Sequence, residues 1–367
     1  MKTMADFDKN FKYESIHKDD MKVYDVEEAP FKLYGIMKPD GDEDFIRMPR
    51  DVAKSVSEGV AGLSRNTAGG RVRFKTNSKY IAVKCVYPEI NVMLTVPFSG
   101  SVCADVYADG KFVTVATPGS NFIADFYEKG GARGEYPDPM VIEKVIEFPD
   151  NKMRDIIINF PISNALNKMY IGIEETAEIK AGDEYKHTKP IVFYGSSVTQ
   201  NVCVSRAGNA YSAILSRWFD TDFVNLGFAG SAKGETEMAE YIAGLDMSVF
   251  VYDYDHNAPS VEHLKNTHYP MYKIIRDANP DLPIIMASMP CFSVGVTHIL
   301  DRRDVIKETY ERAIAEGDKN VYFVDGIEDI YKHIDPEIMT VDNCHPNDFG
   351  AYCMADVFGK IIKNLLR

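Results

Sequence analysis

Ile191-Val192-Phe193-Tyr194-Gly195-Ser196-Ser197-Val198-Thr199-Gln200 is the stretch on which the reading of this chain turns. Its four leading apolar residues read as a short buried strand. A few loop residues later, Ala210-Tyr211-Ser212-Ala213-Ile214-Leu215 reads as a helix. A serine after a glycine, at the carboxyl end of a strand, lies where an open α/β sheet places its chemistry. Gly-Ser-Ser is also a common polar turn, so the stretch alone leaves both readings open. The far end of the chain adds weight to the first. There Asp342-Asn343-Cys344-His345-Pro346 sets a carboxylate and an imidazole three residues apart, in front of another helix.

From Pro190 onward, short apolar runs alternate with helical patterns. Strand 191–194 is followed by a helix near 209–219, and strand 222–226 by one near 235–243. Strand 249–253 is followed by helix 261–278, and strand 283–287 by one near 305–316. Strand 321–324 leads through a loop to a last helix, 346–366. Such alternation implies right-handed βαβ units and a parallel sheet covered on both faces. Five strands of this kind predict a flavodoxin-like doubly wound α/β domain with its site at the carboxyl ends of the strands. The helical stripe Ile214, Leu215, Trp218 reads as core.

Upstream of about residue 178 helical periodicity is nearly absent. Phe31-Lys32-Leu33-Tyr34-Gly35-Ile36 is the first clear strand, and residues 1–30 read as an arm or an earlier strand. Arg71-Val72-Arg73-Phe74-Lys75-Thr76 alternates with period two, as a half-buried strand does. Residues 80–86 return after the Asn77-Ser78-Lys79 turn. Ala108-Asp109-Gly110 carries a hairpin signal between strands 102–107 and 111–115. Runs 153–160 and 168–173 continue the pattern. These short strands predict a β-sandwich of jelly-roll type over residues 1–180. The charged stretch 178–189 reads as a linker to the second domain, 190–367.

The bulk properties agree with two domains. The chain has 367 residues, at roughly 100–200 per domain. Hydrophobic content is 45% and charged content 26%, an ordinary globular composition. A net charge of −14 argues against nucleic-acid and anionic-membrane partners. No apolar run is long enough to span a membrane. The opening residues show no apolar signal core, and Cys85, Cys103, Cys203, Cys291, Cys344 and Cys353 show no CxxC spacing. Both point to a cytoplasmic protein with reduced thiols.

Candidate chemistry gathers after the strand ends. A serine hydroxyl at Ser197 needs a base to take its proton. Gly227-Phe228-Ala229-Gly230-Ser231 follows the second strand, where glycines allow close backbone approach and a free amide can face an oxyanion. They also serve as plain turn glycines. Asn257, in Asp253-Tyr254-Asp255-His256-Asn257, offers a side-chain amide, although asparagine often only caps a turn. Asp342 is spaced to hold the His345 ring and leave its other nitrogen for Ser197. Pro346 suits the first position of the last helix. His256, His263 and His268 have no metal-ligand spacing, and the Gly227–Gly230 pair lacks GxGxxG, so neither metal nor dinucleotide is expected.

Taken together, four blocks resemble the SGNH (GDSL-type) hydrolase family: Tyr194 through Gln200, Asn225-Leu226-Gly227-Phe228-Ala229-Gly230, a divergent Asp253-to-Asn257 block, and Asp342 through Pro346. The resemblance implies Ser197 as nucleophile, His345 as general base and acid, and Asp342 as orienting carboxylate. It implies an oxyanion hole of the Ser197 and Gly230 amides with the Asn257 side chain, and no cofactor. Ser196 replaces the aspartate usual before the nucleophile. The first half more weakly resembles the β-rich domain of bacterial carbohydrate acetylesterases, through residues 31–35, 66–76 and 104–107. The implied activity is hydrolysis of short-chain, above all acetyl, esters, with a glycan or other polyol ester, small molecule or oligosaccharide, as the substrate. The alternatives are an acyltransferase with the same triad, a short-chain lipid or thioester hydrolase, and a glycan-binding protein with a relict site.

Overall fold

The structure is a computed structural model that describes residues 18–118, 140–290, 298–333 and 336–366. Residues 1–17 and Cys291 lie outside the described residues; the other five cysteines are free thiols.

The second half is the five-stranded parallel sheet that its apolar runs imply. Its strands are β11 (His187–Gly195), β12 (Thr221–Gly227), β13 (Val249–Asp253), β14 (Ile284–Ala287) and β15 (Val321–Val324). They are numbered after the ten strands of the first half. Their order, β12-β11-β13-β14-β15, places the first strand between the second and third. That is the doubly wound arrangement, with its switch point beside β11. Successive side chains of a strand face opposite ways. Accordingly Ile191 and Phe193 enter one core and Val192 and Tyr194 the other.

The first half is two antiparallel sheets. One joins β1 (Met21–Asp25), β9 (Lys168–Glu174), β4 (Tyr80–Tyr87) and β7 (Met140–Glu147) in that order. The other runs β10 (Ile179–Ala181), β3 (Arg71–Thr76), β8 (Arg154–Asn159), β5 (Asp105–Ala108), β6 (Lys111–Val115), with β2 (Lys32–Tyr34) also on β3. Val72, Phe74, Val106, Ile156 and Ile158 of the second meet Ile81, Val83, Ile142, Ile171 and Ile173 of the first in one core. Asp109 and Gly110 both have positive φ, 51° and 74°, as the turn joining β5 and β6 requires.

Several expectations are corrected. The stretch 178–189 is not an open linker: Ile179–Ala181 pairs with β3, and β11 already begins at His187. A short strand and a strand start lack the length for a readable alternation. Nor is the first half free of helix. α1 (Arg50–Val56) and α2 (Glu58–Leu63) stand within it, each too short for a periodic stripe, and α3 (Phe98–Ser101) is a single turn. Beyond it come α4 (Ser197–Gln200), α5 (Tyr211–Phe219), α6 (Thr236–Ala243), α7 (Val261–Ala278), α8 (Ile299–Ala315) and α9 (Asp348–Ile362). Trp218 is not core. It is 45% exposed and stands edge-on to exposed Tyr352 of α9. No helix among the described residues is long and apolar enough to cross a membrane.

The two halves are joined through the free edge of β12. In a strand, alternate carbonyls point to the same side. Those of Phe223, Asn225 and Gly227 meet guanidinium groups from the first half. Arg47 donates to Asn225 O at 3.0 Å and Gly227 O at 2.7 Å. It also donates to Leu63 O at 2.7 Å and stacks on Phe228. Arg71 donates to Phe223 O at 3.2 Å, pairs with Asp222, and stacks on Phe223. Burial pulls the Arg47 pKa down to about 9, so it stays charged near neutrality. Beside it, Met48, Ala53 and Val60 join the core under β11, β12 and β13, so residues 47–63 cover a face of the parallel sheet.

Arg47→Ala leaves two buried carbonyls, Asn225 O and Gly227 O, without that donor. It should destabilise the protein by about 3 kcal/mol, read from denaturant melts. A fragment of residues 187–367 should precipitate, because it exposes both the edge and the face beneath α1 and α2; a soluble, cooperatively melting fragment would contradict this.

Candidate active site

Ser197 heads α4 immediately past the end of β11. The preceding Ser196 is extended, and its hydroxyl caps the helix by accepting from Val198 N. Asn201, at φ 62°, ends the helix after one turn, with its amide donating to Thr199 O. The elbow is too tight for a side chain at Gly195. A Cβ there would lie 2.6 Å from Asp253 O and 2.1 Å from Thr199 Oγ1. Gly227 is required in the same way, since its Cβ would meet Gln200 N at 2.3 Å. Beneath the elbow, buried Asp253 accepts the Thr199 hydroxyl. Burial pushes its carboxyl up to about 7, against the opposing Thr199 hydrogen bond.

The loop before α9 brings its side chains to Ser197. His345 Nε2 lies 2.8 Å from Ser197 Oγ, and His345 Nδ1 lies 2.8 Å from Asp342 Oδ2. The other Asp342 oxygen accepts the amides of His345 at 2.8 Å and Cys344 at 3.1 Å. The three-residue spacing therefore closes a turn and seats the ring at once. Asn343 makes that turn possible at φ 62°. Burial works against the Asp342 carboxylate, but the amide and ring of His345 outweigh it and hold its pKa below the usual value. With Asp342 ionised, Nδ1 carries the ring proton and Nε2 offers its lone pair to the serine hydroxyl.

Pro346 is not the first helical residue. Asn347 caps α9, accepting from Phe349 N and Gly350 N, and Pro346 precedes the cap. Asp348 then accepts the Ser205 amide at 2.7 Å and hydroxyl at 2.5 Å, tying α9 to the loop after α4.

Gly230 adopts φ 70° in the turn after β12, and open space lies beside its Cα. The turn's own bonds run from Ser231 N and Ala232 N to Phe228 O. The Asn257 amide also donates to Phe228 O, at 3.1 Å, which fastens its loop to that of Gly230. An asparagine amide has two N–H groups, so one remains for another acceptor. Asn225 faces the elbow instead, donating to Thr199 O at 2.9 Å.

The histidines outside this loop take separate partners. His256 meets Asp255, His263 meets Lys233 O, and His268 meets Thr309 in the core. Burial pulls the His268 pKa down to about 3. Among the described residues there is no group of three or more His, Cys, Asp or Glu side chains able to hold a metal ion. Reading the sequence misses Arg47, Thr199 and Asp348 as parts of the support. Only Thr199 and Asp348 carry a signal, their nearness in sequence to the serine and the histidine.

Comparison with known proteins agrees with this layout. Residues 188–363 match the GDSL-like lipase/acylhydrolase family, and residues 21–179 match the N-terminus of SGNH-hydro-type esterases. No curated protein sequence matches. A solved structure described as a GDSL-like lipase, from Bacteroides ovatus ATCC 8483, is 26% identical with a TM-score of 0.79, covering 94% of this chain and 98% of its own. Two more distant structures share the fold. The salicylyl-acyltransferase SsfX3 of a tetracycline biosynthetic pathway is 17% identical, TM-score 0.73, over 96% and 100% of the two chains. A family two carbohydrate esterase from Clostridium thermocellum, in complex with cellohexaose, is 14% identical, TM-score 0.57, over 82% and 93%. The two matched stretches thus identify a GDSL-like lipase/acylhydrolase (SGNH-type) domain at residues 188–363, preceded at residues 21–179 by the N-terminal β-rich domain of SGNH-hydro-type esterases.

Proposed function

We propose that the chain is a serine esterase that removes short acyl groups, acetyl above all, from carbohydrate. The observation that carries the reading is the unbroken line of hydrogen bonds from Ser197 through His345 to Asp342. In this mechanism His345 Nε2 takes the Ser197 proton as Oγ attacks the ester carbonyl. The Ser197 and Gly230 amides and the Asn257 side chain stabilise the tetrahedral oxyanion. His345 returns the proton to the leaving alcohol, giving an acyl-serine. Water, deprotonated by His345, then attacks the acyl carbon and releases the acid with Ser197 restored. Asp342 fixes the ring and stabilises the imidazolium that forms.

The carbohydrate assignment is an analogy from fold, supported by the carbohydrate esterase in complex with cellohexaose. In this reading the sandwich of residues 1–180 and the catalytic domain of residues 190–367 are two domains, with residues 47–63 lent to the second core. A second reading is acyl transfer, since an acceptor alcohol can replace water without any change of residues. SsfX3, an acyltransferase of the same fold, favours keeping it.

Ser197→Ala and His345→Ala should each lower ester turnover by on the order of 10³-fold or more with unchanged melting, because triad members act as a unit. Either variant keeping most of its activity would remove the triad. Asn257→Ala should lower kcat by roughly 10²-fold with little change in KM, as loss of an oxyanion donor does; an unchanged kcat would move that role elsewhere. Product analysis of an acetylated oligosaccharide, with and without excess acceptor alcohol, should show free acetate in both. Acetyl appearing chiefly on the acceptor would establish transfer.

A further inference from the structure

A turn of the sandwich reaches the residues around Ser197. Residues 90–98 leave the sandwich core at Ile90 and Val92 and return to it at Phe98. Buried Asn164 braces the departing end, accepting from Asn91 N at 2.7 Å and donating to Asn91 O at 3.1 Å. Val96 N donates to Met93 O, closing a turn. Its far side is fixed to the catalytic half. Val96 packs with Val202 and Cys203 and against Ala229, and Cys203 Sγ donates to Thr95 O. Ser99 Oγ donates to Ser205 O at 2.6 Å. These are not remote neighbours of the site. Val202 N donates to Ser197 O, and Ala229 immediately precedes Gly230.

At the tip of this pinned turn Met93 is 50% exposed and Leu94 wholly exposed. They cover no core. A turn tip ordinarily carries polar residues, and an exposed apolar pair on a turn fixed to the neighbours of Ser197 and Gly230 is suited to apolar groups arriving there. In the loop of His345, Val341 is likewise exposed, next to Asp342.

We propose that the turn of residues 93–96 is a wall of the substrate pocket, with Met93 and Leu94 as specificity-determining residues that hold the apolar group of the ester. This rests on the esterase reading above. The apolar group belongs to the leaving alcohol or to the acyl chain; with a short acyl group it is the alcohol, and in a carbohydrate ester the C–H face of a sugar ring.

The test compares wild type, Leu94→Ser and Met93→Ser/Leu94→Ser on two ester series. One varies the alcohol of an acetate from methyl to octyl. The other varies the acyl chain of a p-nitrophenyl ester from acetyl to octanoyl. Losing the contact should raise KM about 5- to 10-fold on the longest members of one series, with kcat kept and the shortest members unchanged. A slope in the alcohol series supports the wall and the short-acyl reading. A slope in the acyl series supports the wall and overturns the short acyl group. A constant variant-to-wild-type ratio along both series overturns the wall, as does a wild-type dimer that the variants dissolve, since the pair then meets a second copy. If folded wild type turns over no ester, the esterase reading fails by itself. Calorimetric titration of octyl acetate into Ser197→Ala, with and without Leu94→Ser, then decides the wall, and equal affinities overturn it.

Discussion

A sheet edge must be given something to bond, and here the partner is not another strand. The outward carbonyls of β12 are met by the guanidinium groups of Arg47 and Arg71, which come from the other half of the chain. A strand end left unpaired and buried would carry the full cost of its lost hydration. An arginine suits the position because its rigid fork supplies several donors, and its flat face lies on Phe228 or Phe223. The same contacts fix the end of β12, from which the Gly230 turn departs. Holding the two halves together and fixing the strand end that leads into the Gly230 turn are thus one interaction.

The elbow itself depends on closeness rather than on bonding strength. Gly195 and Gly227 let α4 sit directly on the strand ends, and Asp253 holds the helix from below through Thr199. The serine is therefore presented by packed backbone on three sides. His345 arrives on a loop that one carboxylate both folds and charges, since Asp342 accepts two amides and the imidazole. Such local arrangements need little from the rest of the chain.

That difference explains what could be read in advance. The parallel strands were legible because burial on both faces leaves continuous apolar runs such as Ile191 through Tyr194. The line from Ser197 through His345 to Asp342 is legible because Asp-x-x-His is a local turn and both elements end at the same sheet edge. The sandwich is legible from its many short strands joined by turn clusters, although Arg71–Thr76, which reads as half-buried, is buried at every position but Lys75. The β12 clamp was not, because a side chain reaching a backbone carbonyl across 178 residues leaves no pattern in either segment. Helices α1 and α2 escape notice through their brevity, and Trp218 reads as core because its stripe runs on to a position that α9 covers only in part, edge-on through Tyr352. The cap at Asn347 lies two positions beyond the one that Pro346 suggests, since a proline before a cap and a proline after one look alike in a sequence.

The position of residues 47–63 bears on how the chain is made. They belong to a face completed only by strands beginning at His187. During synthesis they therefore emerge well before the surface they cover, and Met48, Ala53 and Val60 have nowhere to go until the ribosome has delivered more than a hundred further residues. The sandwich can gather its sheets in that interval, but the helical pair must wait. Maturation of the two halves is then sequential in its beginning and joint in its end.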